Sequence, residues 1–364
     1  MRFRTERDHL LDALTTTSRA AATRGGAAPA LSGVRMEVAG DRLSLVGTDL
    51  DLTVRAVLGV AGADDGVCVV PARLATDIVR AVEPGAVTFA LEEGEAVLSA
   101  GRSRFMLRAL PTEEFLRTAE PAAEAVTVEA AGLTAALSQV VRAASRDDAR
   151  PILTGVLLAA EAGGLRLVAT DSYRLALRDL PGTTVLAEGQ RVLVPARALS
   201  ELTRILSGVA EVTVRLGDDE ASFEVGDVRL TTRLIEGDFP NYQQLIPSAA
   251  PNRLVVGREA LLDAIRRVKL LAREATPVRL RMDTEILELT AVTQDVGQAS
   301  EEVDAKYEGT EMVVAFNPDF LIEGVEAVEG DEVSIETVDP LKPATLRPVD
   351  SSDLLYLLMP VRVS

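Results

Sequence analysis

An internal repeat is the feature that most constrains how this chain can fold. Val70-Pro71-Ala72-Arg73 recurs as Val194-Pro195-Ala196-Arg197, and a weaker third copy reads Phe316-Asn317-Pro318-Asp319. In the same order, Thr48-Asp49 recurs as Thr170-Asp171, so the period is about 122 residues. Three such units would nearly fill the 364 residues. The repeat therefore predicts three copies of one folded unit.

Each unit predicts the same order of helices and strands. An amphipathic helix opens it, as in DHLLDALTTTSRAAA, GLTAALSQVVRAASR and REALLDAIRRVKLLARE. Alternating strands follow, then a second helix whose first turn is expected to contain Pro71 or Pro195, then more strands. About eight strands and two helices per unit indicate an α+β fold in which helices pack on antiparallel sheets. We expect domains at residues 1–121, 122–250 and 251–364.

Composition excludes several classes of protein. The net charge is −18, there is one histidine (His9) and one cysteine (Cys68), and no apolar run reaches the length of a membrane helix. A lone histidine argues against a histidine-rich metal site or a His-based catalytic group. No phosphate-binding loop, dinucleotide fingerprint or nucleophile elbow is present. We expect a cytoplasmic protein without cofactor, metal or catalytic residues and without membrane attachment.

Charge is unevenly distributed between the predicted elements. Arginines are frequent on the predicted helices, whereas acidic residues are frequent in strand–turn segments such as GDDEASFE and SEEVDAKYE. Each arginine taken alone fits a solvated helix face. If the helices share a surface, however, an acidic protein could present one basic face to the phosphates of a nucleic acid without reading its sequence. The apolar C-terminus, LLYLLMPVRVS, is compatible both with burial in its own domain and with lining a groove.

At these motifs the chain resembles the bacterial DNA polymerase III beta subunits, the sliding clamps. The resemblance rests on ERDHLLDAL, GTDLDL, VPAR, AGRSRF, RPILTGVLL, ATDSYRLAL, EGDFPNYQQLIP, FNPDFL and YLLMPVR, in that order along the chain. It implies a non-enzymatic, ring-shaped, head-to-tail homodimer that encircles duplex DNA. Helices would line the hole, and acidic sheets would face outward. The implied partners are the replicative polymerase alpha subunit, the clamp loader, and other polymerases and repair proteins that carry clamp-binding peptides.

The resemblance also implies the site residues. A peptide-binding groove would be formed by Leu153, Thr170, Ser172, Tyr173, Arg174, Leu175, Pro240, Gln244, Leu245, Asn317, Phe320, Leu341, Pro343, Leu357, Leu358, Met359, Pro360, Val361 and Arg362. Leu175, Leu358, Met359 and Pro360 are expected to supply apolar walls, and Arg174 to hold a peptide carbonyl or acidic group.

DNA contacts implied by the resemblance, or added by helix position, are Arg24, Arg73, Arg102, Arg104, Arg142, Arg146, Arg150 and Arg197. The contact between the two copies would pair the AGRSRFML strand, through Phe105 and Leu107, with Leu270 and Leu271.

Some positions depart from the family pattern. The loop Glu274-Ala275-Thr276-Pro277 is short, Ser172-Tyr173 stands where some relatives have Gly-His, and Gln244 replaces a frequent basic residue. These changes leave open a specialised second clamp copy, for example one with altered sensitivity to a clamp-binding antibiotic. Two further alternatives are an adaptor of clamp fold that does not encircle DNA and a carboxylate-dependent enzyme on a repeated scaffold.

Overall fold

The computed structural model describes residues 1–23, 28–113, 115, 123–161, 163–272 and 276–362. These residues contain six α-helices, two in each repeat, as the sequence predicts. The helices are α1 (Arg7–Ser18), α2 (Ala72–Ala81), α3 (Ala130–Val140), α4 (Ala196–Ile205), α5 (Arg258–Lys269) and α6 (Pro318–Ala327).

Twenty-five strands accompany the helices in the described residues, nine in the first repeat and eight in each of the others. They are β1 (Arg2–Glu6), β2 (Gly33–Ala39), β3 (Arg42–Thr48), β4 (Leu52–Gly59), β5 (Ala61–Asp64), β6 (Gly66–Pro71), β7 (Ala86–Glu92), β8 (Glu95–Ala100), β9 (Ser103–Arg108), β10 (Val126–Glu129), β11 (Gly155–Glu161), β12 (Gly164–Thr170), β13 (Arg174–Pro181), β14 (Arg191–Pro195), β15 (Glu211–Leu216), β16 (Glu220–Val225), β17 (Val228–Arg233), β18 (Asn252–Gly257), β19 (Val278–Met282), β20 (Ile286–Thr293), β21 (Gly297–Glu308), β22 (Met312–Phe316), β23 (Glu332–Thr337), β24 (Ala344–Pro348) and β25 (Leu354–Leu358).

The chain divides into two compact units. The first consists of Met1–Ala131 with Arg197–Leu234. It contains a five-stranded sheet, in the order β5-β1-β7-β8-β9, and an eight-stranded sheet, in the order β10-β15-β16-β17-β4-β3-β2-β6. In the larger sheet β17 of the second repeat pairs with β4 of the first, so that Leu230 lies opposite Val54. The first repeat is therefore joined to part of the second by continuous strand pairing.

The second unit consists of Gly132–Ala196 with Ile235–Ser364. Its sheet has twelve strands, in the order β14-β11-β12-β13-β25-β24-β23-β18-β21-β20-β19-β22. Here β25 of the third repeat pairs with β13 of the second, and Arg174 lies opposite Leu358. The predicted groove residues of both repeats thus belong to one unit, and those on β13 and β25 lie on neighbouring strands.

The three repeats share one turn in detail. Strands β3, β12 and β20 end at Thr48, Thr170 and Thr293, and in each case three residues precede the next strand. The middle residue of each turn, Leu50, Ser172 or Asp295, has a positive φ. Because L-residues other than glycine rarely adopt this conformation, its recurrence indicates that the turn geometry belongs to the repeated unit.

Two expectations about the helices were wrong in detail. The first helix of each repeat ends earlier than the sequence pattern indicates: α3 ends at Val140, and a short 3-10 turn, Val141–Ala143, follows it. Pro71 and Pro195 do not lie in a helix's first turn but end strands β6 and β14 immediately before α2 and α4. The fixed φ of proline therefore serves the strand-to-helix corner. The expected domain boundary after residue 121 lies outside the described residues.

Helix α6 packs closely on its sheet through a glycine. In the third repeat, a Cβ at Gly324 of α6 would come within 2.7 Å of the Tyr356 ring on β25. The absence of a side chain therefore allows α6 to approach the sheet closely enough to bury Tyr356 completely. Because α6 also carries Phe320 and Glu323, this close contact places both side chains near the predicted groove.

Candidate functional site

Arg174 is the centre of the predicted groove, and its side chain is buried. Its Nε donates to Asp171 Oδ2 at 3.0 Å. Its Nη1 donates to Glu323 of α6 and, at 3.3 Å, to the hydroxyl of Tyr356. Its Nη2 donates to the carbonyl oxygen of Arg142 at 2.6 Å. All three guanidinium nitrogens therefore already have partners within the protein.

The electrostatics of this cluster follow from burial and from the ion pairs. Burial acts to lower the pKa of Arg174, but Tyr356 and Glu323 outweigh it, and the pKa is raised above its ordinary value. Burial raises the pKa of the Tyr356 hydroxyl, against the opposing effect of Arg174. Arg174 is thus held charged, and Tyr356 is held neutral as a hydrogen-bonding group.

The expectation that Arg174 binds a peptide carbonyl or acidic group is not supported by this geometry. A saturated, buried guanidinium can contact a ligand only after breaking bonds to Asp171 or Glu323, which would leave a buried charge without its partner. Arg174 instead connects the second repeat to α6 of the third, and its guanidinium carbon lies 4.3 Å from the centroid of the Phe320 ring.

The turn that precedes β13 carries the groove's exposed aromatic residue. Thr170 Oγ1 accepts from the Ser172 N–H, and Asp171 Oδ1 accepts from the N–H groups of Tyr173 and Arg174. These bonds hold Ser172 at φ 82° and direct the next side chain outward. Tyr173 is consequently 61% exposed although the next residue, Arg174, is buried.

The C-terminal segment lies against this turn. The Met359 N–H donates to the Tyr173 carbonyl at 2.9 Å, and the Val361 N–H donates to the Ala315 carbonyl at 2.7 Å. Met359, Val361 and Tyr173 are all exposed apolar side chains. The apolar C-terminus therefore has two parts. Strand β25 is buried in its own domain, whereas Met359 and Val361 beyond it are exposed. Tyr173, Met359 and Val361 are called the apolar surface below.

Other predicted groove residues surround this surface. Pro343 directly precedes Ala344, which lies opposite Leu358 and hence one residue from Met359. Leu341 and Arg362 are exposed, and Pro360 is half-buried. Asn317 is the N-cap of α6, and its side chain accepts from the N–H groups of Asp319 and Phe320. Pro240, Gln244 and Leu245 lie in or beside a 3-10 turn, Tyr242–Leu245, and are exposed.

Five predicted groove residues are buried: Leu153, Thr170, Leu175, Leu357 and Leu358. Leu175 and Leu357 pack in one cluster with Tyr242. Strands β13 and β25 carry buried residues at successive positions, so both of their faces are covered where the two strands pair. The role of Leu175 and Leu358 as apolar walls of a groove stays a prediction.

In the first unit, the arginines expected to contact DNA differ in their availability. Arg73 of α2 is almost fully exposed, and its nearest carboxylate, Asp77, is 3.9 Å away. Arg102 lies in the turn between β8 and β9, and Arg104 pairs with Glu92 at 3.2 Å. Arg197 of α4 pairs with Asp49, and its Nη2 donates to the Arg19 carbonyl at 3.4 Å. Arg24 lies outside the described residues.

In the second unit, the remaining arginines do not lie on a helix face, contrary to the expectation. Arg142 lies in the 3-10 turn after α3 and pairs with Glu326 at 2.6 Å. Arg146 follows in the loop and is exposed. Arg150 pairs with Asp147 and donates to Ser172 Oγ at 3.1 Å. Arg142 and Arg150 are paired with carboxylates, so they could contact a phosphate only after breaking those ion pairs.

The residues expected at the contact between copies differ in their solvent exposure. Leu270, directly after α5, is 82% exposed, and Leu271 is half-buried. On β9, Phe105 is half-buried, but Leu107 belongs to the core of its own repeat. The exposed apolar side chain of β9 is Met106, which the sequence analysis missed because alternation alone does not tell the two faces of an edge strand apart.

Within the described ranges, no group of histidine, cysteine, aspartate and glutamate side chains is arranged to hold a metal ion. The described helices include none that is long and apolar enough to cross a membrane. Part of the short loop at residues 274–277 lies outside the described residues.

Family models match nearly the whole chain. The N-terminal domain of the DNA polymerase III beta subunit matches residues 1–118, the central domain 127–241 and the C-terminal domain 243–362. The beta sliding clamp of Streptomyces coelicolor is 34% identical over 381 residues, and that of Pseudomonas aeruginosa is 31% identical over 369 residues. Both alignments cover 100% of each chain.

Solved structures agree with the sequence comparison. The DNA polymerase sliding clamp from Bacillus subtilis matches with a TM-score of 0.91 at 26% identity. The sliding clamp from Bartonella birtlesii bound to griselimycin matches with a TM-score of 0.92 at 29% identity. In both comparisons all of this chain and all of the neighbour are covered.

Proposed function

The chain belongs to the DNA polymerase III beta subunit family, the non-enzymatic sliding clamps, and on that premise we propose that two copies encircle duplex DNA and make the replicative polymerase processive. The three-domain α+β architecture that it shares with solved clamps supports the proposal. We place the domains at residues 1–121, 122–250 and 251–364. A role in bacterial replication also favours a cytoplasmic location. Family membership leaves the proposed carboxylate-dependent enzyme without support.

Binding of duplex DNA would be independent of sequence. The exposed arginines Arg73 and Arg146 are available for phosphate contact, while Arg142, Arg150 and Arg197 would exchange a carboxylate for a phosphate. Such contacts are individually weak and sensitive to salt. Weak contacts suffice if the closed ring itself retains the DNA, and they allow the protein to slide.

Partner proteins would bind at the apolar surface of Tyr173, Met359 and Val361. The observation that carries this proposal is the pair of exposed side chains, Tyr173 and Met359, joined by a backbone hydrogen bond. Tyr173 directly precedes Arg174 of the buried cluster, which gives the surface a fixed base. The flexible Met359 side chain can adapt to different ligands. The partners would be the polymerase alpha subunit, the clamp loader, and other polymerases and repair proteins that present an apolar peptide.

A fluorescence anisotropy titration with a labelled Gln-Leu-x-Leu-Phe peptide tests the partner site. We expect saturable binding by the unaltered protein. A Tyr173→Ala, Met359→Ala double variant should bind at least about tenfold more weakly, since each side chain loses more than a methylene of apolar contact. Arg174 is unsuitable for this test because its loss would disturb the buried cluster beneath the surface.

Val209→Ala provides the matched control. Val209 is also an exposed apolar residue, but it lies in the other unit, after α4. Its variant should bind the peptide with unchanged affinity. If the folded, unaltered protein does not bind the peptide, or if the double variant binds as well as it, the proposed partner site is wrong.

DNA contact is tested by the dependence of binding on salt. An Arg146→Ala, Arg150→Ala variant should reduce the slope of log affinity against log salt by about 2, one for each lost phosphate contact. Arg347→Ala is the control: Arg347 lies on strand β24 of the third repeat, and its variant should leave the slope unchanged. An unchanged slope in the double variant would instead favour the adaptor that does not encircle DNA.

A further inference from the structure

The second helix of the third repeat reverses the charge of its two counterparts. Helices α2, α4 and α6 each have ten residues, so their positions can be compared one by one. The second residue is Arg73, Arg197 and Asp319 in turn, and the ninth is Arg80, Arg204 and Glu326. Two arginines of the repeated unit are therefore replaced by carboxylates on α6, whose ten residues include no arginine or lysine.

The basic residues of the third repeat lie on its first helix instead. Helices α1 and α5 both have twelve residues, and α5 carries Arg266 and Lys269 where α1 has Thr15 and Ser18. Helix α5 packs against α6, as α1 packs against α2. The third repeat thus keeps cations on its pair of helices but places carboxylates beside them.

Both carboxylates of α6 bind cations directly. Lys269 Nζ donates to Asp319 Oδ1. Arg266 Nη2 donates to Glu326 Oε1 at 3.0 Å, and Arg142 Nη1 donates to Glu326 Oε2 at 2.6 Å. Three cations, one of them from the second repeat, are therefore paired with α6.

These ion pairs remain within reach of a ligand. The side chains of Arg142, Arg266 and Lys269 keep between 38% and 52% of their surface exposed, unlike the buried side chain of Arg174. Ion pairs at this exposure are individually weak. A carboxylate and a phosphate offer a guanidinium the same paired oxygens. The two groups are therefore competitors for one cation.

Helix α2 shows the contrast in the first repeat. Arg80 Nη1 lies 2.7 Å from Asp77 Oδ1, while Arg73 is almost fully exposed and lies 3.9 Å from the same carboxylate. Two arginines share one aspartate there, whereas Arg266 and Lys269 of α5 each have a carboxylate of α6. The first repeat therefore offers phosphates an exposed guanidinium where the third offers ion pairs.

We propose that the carboxylates of Asp319 and Glu326 compete with DNA phosphates for the cations of the third repeat, an inference that rests on the proposed encircling of duplex DNA. They keep the helices of this repeat weakly bound to DNA, because a phosphate must displace a carboxylate from each cation. Movement of the DNA then requires the release of fewer strong contacts. The acidic α6 thus favours sliding over tight binding.

A double variant that removes both charges tests the competition. Asp319→Asn, Glu326→Gln keeps the size of each side chain and releases the three cations. Binding of a fluorescently labelled linear duplex by the full-length protein is measured by anisotropy over a series of salt concentrations. We expect about four- to twenty-five-fold tighter binding at low salt, from about two- to fivefold per removed carboxylate. The slope of log affinity against log salt should become steeper by about 2.

Glu308→Gln, Asp350→Asn is the matched control. It removes the same two charges from exposed residues of the same repeat, one at the end of β21 and one in the turn after β24. The control shares the change in net charge but leaves the pairs between α5 and α6 intact. Its affinity should rise by less than about twofold, since distant exposed charges are screened by salt, and its slope should not change.

The released cations themselves must account for the gain. Adding Arg142→Ala, Arg266→Ala and Lys269→Ala to the double variant should abolish the increase in affinity and in slope. A gain that persists without these cations would overturn the proposal. If the ion pairs serve stability alone, the double variant will be less stable but will bind DNA with the affinity and slope of the control.

The outcomes separate the inference from the proposed function. If the unaltered protein does not bind duplex DNA at low salt, the proposed function fails, and the inference fails with it. If it binds DNA and the double variant matches the control, the competition is wrong while DNA binding stands. Asp319→Asn alone, a change at an exposed side chain, should tighten binding by about two- to fivefold, so the test does not depend on the half-buried Glu326.

Discussion

The guanidinium of Arg174 stacks on the ring of Phe320, which joins the start of β13 in the second repeat to the first turn of α6 in the third. Tyr356, which accepts from Arg174, fills the space left by Gly324, and Tyr173, which directly precedes Arg174, is bonded through its carbonyl to the Met359 N–H. The exposed apolar surface therefore adjoins the buried ion cluster. Mutations of the exposed residues should affect binding, and mutations of the buried ones should affect stability.

Arg174→Ala should lower the free energy of unfolding by about 3 kcal/mol, because it leaves the carboxylates of Asp171 and Glu323 without their cation. Arg174→Lys should recover only part of this loss, since an ammonium cannot make the forked set of bonds. Urea unfolding followed by circular dichroism measures the change, with the midpoint of each transition compared if the domains unfold separately. Arg104→Ala, which removes an exposed pair, is the control and should shift stability by less than about 0.5 kcal/mol. Equal effects of the two alanine variants would contradict the structural role of Arg174.

Leu50→Gly should raise the free energy of unfolding by about 0.5–1 kcal/mol. Leu50 has φ 83° and is partly exposed, so glycine relieves the unfavourable backbone conformation at little cost in packing. Leu50→Ala removes the side chain beyond Cβ but keeps the Cβ that disfavours a positive φ, and it should not stabilise the protein. Chemical denaturation of the three proteins provides the comparison. If alanine and glycine have the same effect, backbone strain in the repeated turn is not the cause.

Glu326 should contribute a pH-dependent part of the stability. Burial acts to raise the pKa of its carboxyl, but hydrogen bonds from Arg142 and Arg266 outweigh burial and hold that pKa below its ordinary value of 4.5. A carboxyl with a depressed pKa in the folded state stabilises the protein above the ordinary pKa, and this contribution is lost as pH falls through the depressed value. Glu326→Gln should therefore be less stable than the unaltered protein at neutral pH.

This stability difference should shrink as pH falls from the ordinary value of 4.5 through the depressed pKa of Glu326. Thermal unfolding at a series of pH values measures it. Glu83→Gln, a change at an exposed residue after α2, is the control and should alter stability by less than about 0.5 kcal/mol. A Glu326→Gln deficit that persists unchanged at acidic pH would mean that packing, and not the ion pairs, accounts for it.

Cys68 should be inert towards alkylation in the folded protein. It is buried in β6, and burial raises the pKa of its thiol to about 12, which leaves almost no thiolate at neutral pH. Labelling by iodoacetamide, quantified by mass spectrometry, should be slow without denaturant and rapid in concentrated urea. Rapid labelling of the native protein would show that the first repeat opens readily.

Local sequence patterns predicted the repeated unit well. The periodicity of apolar residues predicted two helices and about eight strands per repeat. This succeeds because the side-chain periods of helices and strands follow from local backbone geometry. The recurrence of Thr48-Asp49 and Thr170-Asp171 likewise identified a turn that the structure repeats in all three units, although the third copy, at Thr293 and Gln294, lacks the aspartate and was not found.

The faces of the strands could not be assigned in this way. Leu175, Leu357 and Leu358 look like groove residues from their place in the motifs, but β13 and β25 lie between other strands and are covered on both faces. A strand buried on both faces carries apolar residues at successive positions, so its sequence does not mark an exposed side. Tyr173 and Met359 are exposed because each lies just beyond the end of such a strand.

The sequence by itself determined the family, the three repeats and the segments that contribute to the site, since these depend on local order and spacing. Only the tertiary structure decided what Arg174 does. Its partners Asp171, Arg142, Glu323 and Tyr356 come from four segments of the chain, and their convergence depends on the pairing of β13 with β25 and on the packing of α6. Burial by distant elements turned an arginine suited to binding a ligand into one that holds two repeats together, because a charge withdrawn from water must be satisfied by groups within the protein.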